Sequence, residues 1–155
     1  AYNRILKNIP NLTADAFLLE VQKYFTITPT SVAKAQPNAE HIIALYCAKQ
    51  WYHLQPKPEL LASNITKATD NLDLNLINTY LIKPTLKSFN PNNDSFLEYV
   101  NGTILPKDFE IKCNNGNTIA GFMFCPITFK TMTNVVKEDC LLPEKATWIE
   151  PKVTF

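Results

Sequence analysis

The sequence predicts an α+β fold in which a helical N-terminal two-thirds packs on a C-terminal antiparallel β-sheet. Before about residue 101 the apolar residues recur at the spacing of amphipathic helices. After that point, short β-branched and aromatic runs alternate with turn signals, a pattern that is typical of strands. No repeat or low-complexity linker divides the 155 residues. We therefore expect a single domain over 1–155, helical over about 12–100 and β over about 104–155.

About four to five helices are expected in the N-terminal part. The first covers 14–25, where Thr13 offers an N-cap oxygen and Asp15 places a negative charge in the first turn. The second, over about 38–54, is apolar on almost every side, which predicts a buried central helix. Further helices are expected to start at Pro58, at Asp73 with a break or kink at Pro84, and at Ser95 with Asp94 as its cap and Gly102 at its end.

Three to five strands are expected in the C-terminal part, beginning with a hairpin. The runs 108–113 and 118–125 flank Asn115 and Gly116, and Asn-Gly between β-rich runs is the strongest short signal for a hairpin turn. Gly121 falls inside the second run, where a glycine indicates a bulge or a close contact. Further strands are expected over 127–136, 147–149 and 153–155.

Composition and charge argue against several classes of protein. Apolar residues make up 46% and charged residues 19% of the chain, which predicts a folded protein. The net charge is +1, and Arg4 is the only arginine beside 14 lysines, so bidentate recognition of guanine or phosphate has few donors. We therefore expect no nucleic-acid partner. No apolar run approaches the ~18 residues of a membrane span, so no transmembrane segment is expected.

Glycine is scarce, and this bears on nucleotide chemistry. The three glycines, Gly102, Gly116 and Gly121, are too widely spaced to build a phosphate-binding loop, a dinucleotide fingerprint or a nucleophile elbow. Nucleotide binding is therefore not expected, and no cofactor is predicted. Abundant asparagine, lysine and isoleucine beside few glycines and arginines indicate a low-GC organism, and codon bias accounts for much of the scarcity.

Four cysteines, Cys47, Cys113, Cys125 and Cys140, are candidates for disulfide bonds. No Cys-x-x-Cys spacing occurs, so a zinc knuckle or a thioredoxin-like centre is not expected. In the predicted hairpin Cys113 and Cys125 are offset by about 23 Å along the strands, which disfavours that pair. Cys140 is the expected partner of either one, and Cys47 pairs with the remaining cysteine or stays buried. The alternative is four reduced cysteines.

Export from the cytoplasm is the expected localisation, secreted or periplasmic. Besides the disulfide candidates, four N-glycosylation sequons point to a secretory route. They start at Asn11, Asn64, Asn93 and Asn101. An intracellular protein with free thiols is the alternative.

Aromatic residues give the best candidate for a binding site. Trp51, Tyr52 and His53 lie at the end of the second predicted helix, and Trp148 could join them. Large amphipathic side chains are typical binding anchors, although packing in the core is the alternative. His41 and His53 are twelve residues apart on one predicted helix, so they cannot share a metal ion, and no metal site is predicted.

Function is less strongly constrained than fold. The absence of a nucleophile context, a metal-ligand cluster and a phosphate loop favours an exported, non-enzymatic binding protein with a protein partner, for example a host-facing, virulence-associated one. The alternative is a small hydrolase or transferase whose site the fold assembles from His53, a cysteine, and the pair Asp108 and Glu110, which would share one face of a strand. An intracellular regulatory module with free thiols is the third hypothesis.

Overall fold

The computed structural model describes residues 1–63, 66–87 and 94–147 and shows an α+β fold with one six-stranded antiparallel sheet. The strands are β1 (Asn3–Lys7), β2 (Phe25–Thr30), β3 (Ile43–Cys47), β4 (Gln50–Pro56), β5 (Leu97–Val100) and β6 (Thr118–Met123). The α-helices are α1 (Ala14–Tyr24), α2 (Pro58–Ser63), α3 (Asp73–Ile77), α4 (Lys83–Lys87), α5 (Pro106–Asn115) and α6 (Phe129–Lys137). A π-helical turn, Asn78–Ile82, joins α3 to α4, and 3-10 turns occur at Val32–Lys34 and Asp94–Phe96.

Helices and strands are interleaved along the chain, so the expected division into a helical N-terminal part and a C-terminal sheet is wrong. The strand order is β2-β4-β3-β6-β1-β5, and the first four strands of the chain all precede residue 57. Strand β1 lies between β6 and β5, and every pairing in the sheet is antiparallel.

The predicted central helix over 38–54 is instead the hairpin of β3 and β4. Ala48 and Lys49 form its two-residue turn, with φ values of 50° and 60°. Consecutive left-handed residues of this kind match the right-handed twist of the flanking strands. All five residues of β3 are buried, because helices or loops cover both faces of the sheet. A strand buried on both faces is apolar without alternation, and from the sequence it resembles a buried helix.

The opposite error occurs in the C-terminal part, where two predicted strands are helices. The run 108–113 belongs to α5, which has Pro106 in its first turn, and the expected Asn115-Gly116 hairpin turn is the C-terminal end of that helix. The run 127–136 is mostly α6, whose N-cap Thr128 accepts a hydrogen bond from the backbone N–H of Thr131. The predicted strand over 118–125 is confirmed as β6. The expected strands at 147–149 and 153–155 lie almost wholly outside the described residues.

Several predicted boundaries are confirmed. Helix α1 begins after Thr13, whose hydroxyl accepts a hydrogen bond from the backbone N–H of Ala16, and α2 begins at Pro58. Helix α3 begins at Asp73, but the chain stays helical through Pro84. The π turn shifts the backbone hydrogen bonds just before this proline, which has no N–H to donate. The helix expected from Ser95 is a 3-10 turn followed by β5, so Gly102 closes no helix.

Two hydrophobic cores lie on the two faces of the sheet. On one face α1 packs through Phe17 and Val21, and α2 packs through Leu60, against residues such as Phe122. The helix over 73–87 packs on the same face. On the other face α5 packs through Phe109 and Cys113. Gly121 makes this approach possible, since a Cβ atom there would lie 2.6 Å from Cε1 of Phe109. The close contact expected for Gly121 is thereby confirmed.

Candidate functional site

A cleft between the start of α3 and the segment 124–131 is the best-formed candidate site, and we call it the Asp73 cleft. About 20 Å³ of it is accessible to the centre of a water molecule, and the space along its lining is about 360 Å³ when open solvent is included. Its apolar wall consists of Leu72, Leu74, Phe124, Pro126 and Ile127. Its polar atoms come from Glu40, Asp73, Cys125, Thr128 and Thr131, and Ala1 completes the lining. This mixture of an apolar wall and a few polar groups is typical of ligand sites.

Three separate segments of the chain position these side chains. Strand β6 ends at Met123, and the chain then runs along the cleft to Thr128, the N-cap of α6. Leu72 precedes α3 in extended conformation, so Asp73 enters the first turn of that helix beside the cleft. Glu40 and His41 come from the loop that leads into β3. The cleft therefore forms only when the sheet and α3 are both in place.

The carboxylate of Asp73 holds His41 through two hydrogen bonds. The backbone N–H of His41 donates to one carboxylate oxygen at 3.0 Å, and ring Nδ1 donates to the other at 2.8 Å. His41 has a φ of 65°, a left-handed conformation that costs a non-glycine residue roughly 1–2 kcal/mol. The hydrogen bond to Asp73 raises the pKa of His41 above its ordinary value, with smaller electrostatic contributions from Asp73 and Glu40. The side chain of Asp73 is only 10% exposed, which strengthens this interaction.

Cys125 lies on the wall of the same cleft as Asp73. Burial raises the pKa of its thiol, and the negative charges of Asp73 and Glu40 raise it further. A raised pKa keeps the thiol protonated at neutral pH, whereas a cysteine nucleophile needs its thiolate. The side chain of Cys125 is therefore an uncharged part of the cleft lining.

The three aromatic residues predicted as binding anchors lie on two faces of β4. Trp51 is 3% exposed and packs under α5, where its indole N–H donates to Glu110 at 2.7 Å. His53 lies on the same face, with Nε2 3.3 Å from the carbonyl oxygen of Ala35. Tyr52 points to the other face and packs against the core that contains α1. Trp148 lies outside the described residues, and a binding role for these four residues stays a prediction.

The structure does not assemble the predicted His53 site. Asp108 and Glu110 lie on α5, and two positions along a helix differ by about 200° in direction, so they do not share a face. Glu110 accepts the indole hydrogen bond of Trp51 instead. Within residues 1–63, 66–87 and 94–147, His53 forms no hydrogen bond or ion pair with a cysteine or a carboxylate.

All four cysteines are free, so the predicted disulfides are wrong. Cys47 lies in β3 and packs into one core, while Cys113 lies in α5 and packs into the other. Burial raises the pKa of Cys47 to about 11 and that of Cys113 to about 12. Cys125 and Cys140 lie in loops, and the thiol of Cys140 donates to the carbonyl of Glu138 at 3.5 Å. The expected pairing is wrong because Cys113 lies in a helix rather than in a strand.

Groups of metal ligands and membrane-spanning helices are both absent from the part of the chain that the structure describes. No three histidine, cysteine, aspartate or glutamate side chains are grouped there so that they could hold a metal ion. None of the helices in the same ranges combines the length and the apolar character that a membrane crossing requires.

Sequence reasoning did not find the Asp73 cleft. His41 and Asp73 are 32 residues apart, and Cys125 comes from a third segment that the predicted topology placed elsewhere. The one local signal is Asp73 itself, an acidic residue at the start of a predicted helix. That signal does not show that His41 is its hydrogen-bond partner.

Comparison with known proteins adds a partial match. The family described as "Protein of unknown function (DUF1015)" matches residues 1–75. That span contains Glu40, His41 and Asp73, while the segment 124–131 on the opposite wall lies beyond it. No curated protein and no solved structure matches the chain. The chain is therefore similar to this family over residues 1–75.

Proposed function

We propose that this chain is a non-enzymatic binding domain that engages a protein partner at the Asp73 cleft and along α6. The observation that carries the proposal is a pair of exposed apolar side chains on α6, the helix whose N-cap Thr128 lines the cleft. Phe129 follows Thr128, which lines the cleft, and it is 81% exposed. Val136 is two helical turns further on the same side of α6 and is 73% exposed.

The size of this surface favours a protein over a small molecule as the partner. The cleft leaves only about 20 Å³ for the centre of a water-sized sphere, which is room for about one water molecule and too little to enclose a small-molecule ligand. The exposed apolar positions on α6 are not part of the cleft lining, so a small molecule in the cleft would leave them uncovered. Exposed apolar surface next to a cleft is a common feature of protein-binding sites.

Charge indicates the kind of segment that would fit. The carboxylates of Glu40 and Asp73 lie on one side of the cleft, and the hydroxyl groups of Thr128 and Thr131 are bonded to each other on its other side. Both oxygens of Asp73 accept hydrogen bonds from His41, so Glu40 supplies the carboxylate that is left for a partner. A partner segment that places an apolar side chain against the apolar wall and a basic residue beside it would complement both features.

Peptide selection tests this proposal even though the partner is unidentified. A library of 15-residue peptides displayed on phage is selected on the wild-type chain, and enriched peptides are measured against two variants, Phe129→Asp and Leu19→Asp. Leu19 is a matched control, because it is an exposed leucine on α1 and 63% of it is accessible. We expect enriched peptides that share an apolar and a basic position and lose at least about tenfold in affinity with Phe129→Asp but not with Leu19→Asp.

The result that would overturn the proposal is equally specific. Selection that enriches no peptide above background, or peptides that both variants weaken equally, would exclude the cleft and α6 as a protein-binding surface. Protection of the Cys125 thiol from alkylation by a bound peptide gives an independent readout, since this thiol lines the cleft.

Export is part of the same proposal and rests on the sequons. The free cysteines remove the disulfide argument, while the sequon asparagines Asn11 and Asn101 are both exposed. The side chain of Asn101 accepts hydrogen bonds from the backbone N–H and the hydroxyl of Thr103 within its sequon. Fractionation of the native source, with an antibody to this chain, tests export: recovery only from the cytoplasmic fraction would exclude it.

A thiol-dependent hydrolase or transferase is the second candidate function. The observation that favours it is that Asp73 orients His41 and also lines the cleft beside Cys125, so the fold brings a thiol, a histidine and a carboxylate into one region. The rate of Cys125 alkylation by iodoacetamide against pH separates the two functions, measured in a Cys140→Ser variant. Binding without catalysis predicts a rate that keeps rising above pH 9, whereas an activated thiolate predicts a plateau below pH 7.

A further inference from the structure

Arg4, the only arginine of the chain, is buried completely in the sheet. It lies on β1 between Tyr99 of β5 and Phe124, and its guanidinium carbon is 5.2 Å from the centre of the tyrosine ring and 5.3 Å from the centre of the phenylalanine ring. Cation–π contacts with two rings hold the guanidinium plane in place. They do not satisfy its N–H groups, which need acceptors in the plane of the group.

Only one edge of this guanidinium has an acceptor among the described residues. Nη1 donates to the carbonyl oxygen of Tyr2 at 2.6 Å. Nε and Nη2 are buried and have no hydrogen-bond partner in the described ranges. These two nitrogens lie on the same side of the group, and their N–H bonds are parallel. That edge is the fork with which arginine binds both oxygens of a carboxylate or two oxygens of a phosphate.

No carboxylate of the described chain takes this place. The nearest acidic side chain in sequence on the neighbouring strand is Glu98, and it forms ion pairs with Lys7 and Lys112 on the opposite face of the sheet. Burial lowers the pKa of Arg4 to about 10, and only the Tyr99 hydroxyl opposes this effect. A buried cation with unpartnered donors is costly, and a bound anion would remove that cost.

From this geometry we propose that the Nε–Nη2 edge of Arg4 binds an oxyanion, the carboxylate or phosphate group of a ligand. The aromatic rings define the approach. Tyr99 is 41% exposed on the edge strand β5, so the guanidinium contacts a ring that reaches the surface. The ring of Phe124 contacts the guanidinium and also lines the Asp73 cleft, so this one side chain borders both sites. The proposal goes beyond the binding of a protein partner and does not depend on it.

The test exploits the fact that the sequence contains a single arginine. Labelling the full chain with ¹⁵N-arginine gives one Nε–Hε cross-peak, which reports on the proposed edge without assignment. The peak is followed while sodium phosphate, sodium acetate or sodium chloride is added at constant ionic strength. We expect a saturable displacement and slower solvent exchange with phosphate or acetate and neither effect with chloride, and the better of the two probes identifies the class of oxyanion.

Two variants complete the experiment. In Arg4→Lys the fork is lost while the charge remains, and we expect the affinity for the oxyanion, measured by its effect on the melting temperature, to fall at least about tenfold. Lys145→Gln is the matched control, because Lys145 is an exposed cation over the ring of Tyr2 and a purely electrostatic effect would respond to its removal. If Arg4→Lys does not fold, the cross-peak of the wild-type chain still shows whether the Nε–Nη2 edge binds an oxyanion.

Two outcomes would overturn the proposal. A peak that follows chloride as closely as phosphate and acetate shows general screening only. A peak that is already displaced and protected in buffer without added anion, and that stays unchanged during the titration, shows that the chain itself satisfies the edge.

Discussion

Asp73 accepts two hydrogen bonds from His41, one from its backbone and one from its ring, across a separation of 32 residues. This carboxylate therefore fixes both the left-handed backbone of His41 and the orientation of its imidazole. Because a carboxylate only accepts hydrogen bonds, Nδ1 carries the proton, and Nε2 is the nitrogen that changes protonation.

The His41–Asp73 pair should make stability depend on pH. The folded pKa of His41 is raised above its unfolded value near 6.5, so protonation stabilises the folded state fully below that value. This contribution is lost as the pH rises through the folded pKa. We expect the urea midpoint of the wild type to exceed that of Asp73→Asn by the largest amount near pH 5.5 and by less at pH 8.5.

Asp70→Asn is the control for this pH experiment. It makes the same chemical change three residues earlier, at a carboxylate that accepts hydrogen bonds from Thr66 and from the backbone N–H of Lys67 rather than from a histidine. Its offset from the wild type should stay constant across the range. Parallel pH profiles for the wild type and Asp73→Asn would contradict the assignment.

Replacing Gly121 should weaken the packing of α5 on the sheet. In Gly121→Ala the added methyl group would lie 2.6 Å from Cε1 of Phe109 and 2.8 Å from Sγ of Cys113, so these side chains or α5 itself must shift. We expect a loss of about 1–3 kcal/mol in the free energy of unfolding. Gly116→Ala is the milder comparison and should cost less, because its nearest contacts, at 3.2 and 3.3 Å, need to give by only a few tenths of an ångström and its backbone is in an ordinary conformation.

A double substitution shows whether Phe109 is the cause. Phe109→Leu removes the clashing ring atoms, so the loss in Phe109→Leu/Gly121→Ala should be smaller than the sum of the two single losses. Chemical denaturation followed by circular dichroism measures all four variants. Strict additivity would mean that the glycine serves something other than this contact.

The hairpin turn offers a stabilising substitution. Ala48 and Lys49 both have positive φ, which alanine and lysine tolerate poorly and which Asn-Gly adopts readily. We expect Ala48→Asn/Lys49→Gly to raise the free energy of unfolding by about 1 kcal/mol, measured by urea denaturation. Ala48→Val, with a branched side chain at the same φ, should lower it. If the free energy of unfolding is unchanged or moves in the opposite direction in both variants, Ala48 and Lys49 do not have the positive φ values of this turn.

The four thiols should differ in reactivity in the folded protein. Cys47 and Cys113 are buried with raised pKa values, so a thiol reagent at pH 8 should leave them unmodified. Cys125 and Cys140 are partly exposed and should react, and all four should react after unfolding. Intact mass spectrometry counts the modified thiols, and an unreduced sample that gains mass on reduction would contain a disulfide that contradicts the free cysteines.

Local signals in the sequence predict some elements and mislead at others, for identifiable reasons. Thr13 and Pro58 mark helix starts by chemistry that acts within a few residues, and those starts are confirmed. Residues 43–56 mislead because burial on both faces removes the alternation that distinguishes a strand. The pair Asn115-Gly116 misleads because the same dipeptide also suits the end of a helix.

The candidate site was beyond the reach of sequence patterns. It depends on the pairing of segments that are 32 or more residues apart, and on strand β6 lying next to β3 in the sheet. Periodicity and capping describe neighbours along a helix or strand and carry no information about such pairings. The buried state of Arg4 is hidden for the same reason, since its two aromatic neighbours come from distant segments.

The position of β1 in the sheet has a consequence for how the protein is made. Its two neighbours, β5 and β6, are synthesised about a hundred residues later, as the pairs Asn3–Val100 and Arg4–Phe122 show. Until the ribosome has released the region of β6, strand β1 lacks its native partners on both sides, so this sheet can be completed only after translation has passed residue 123. A fragment that ends at residue 75 would leave this strand exposed to pairing with other chains, and it would be a poor substitute for the whole domain in the laboratory.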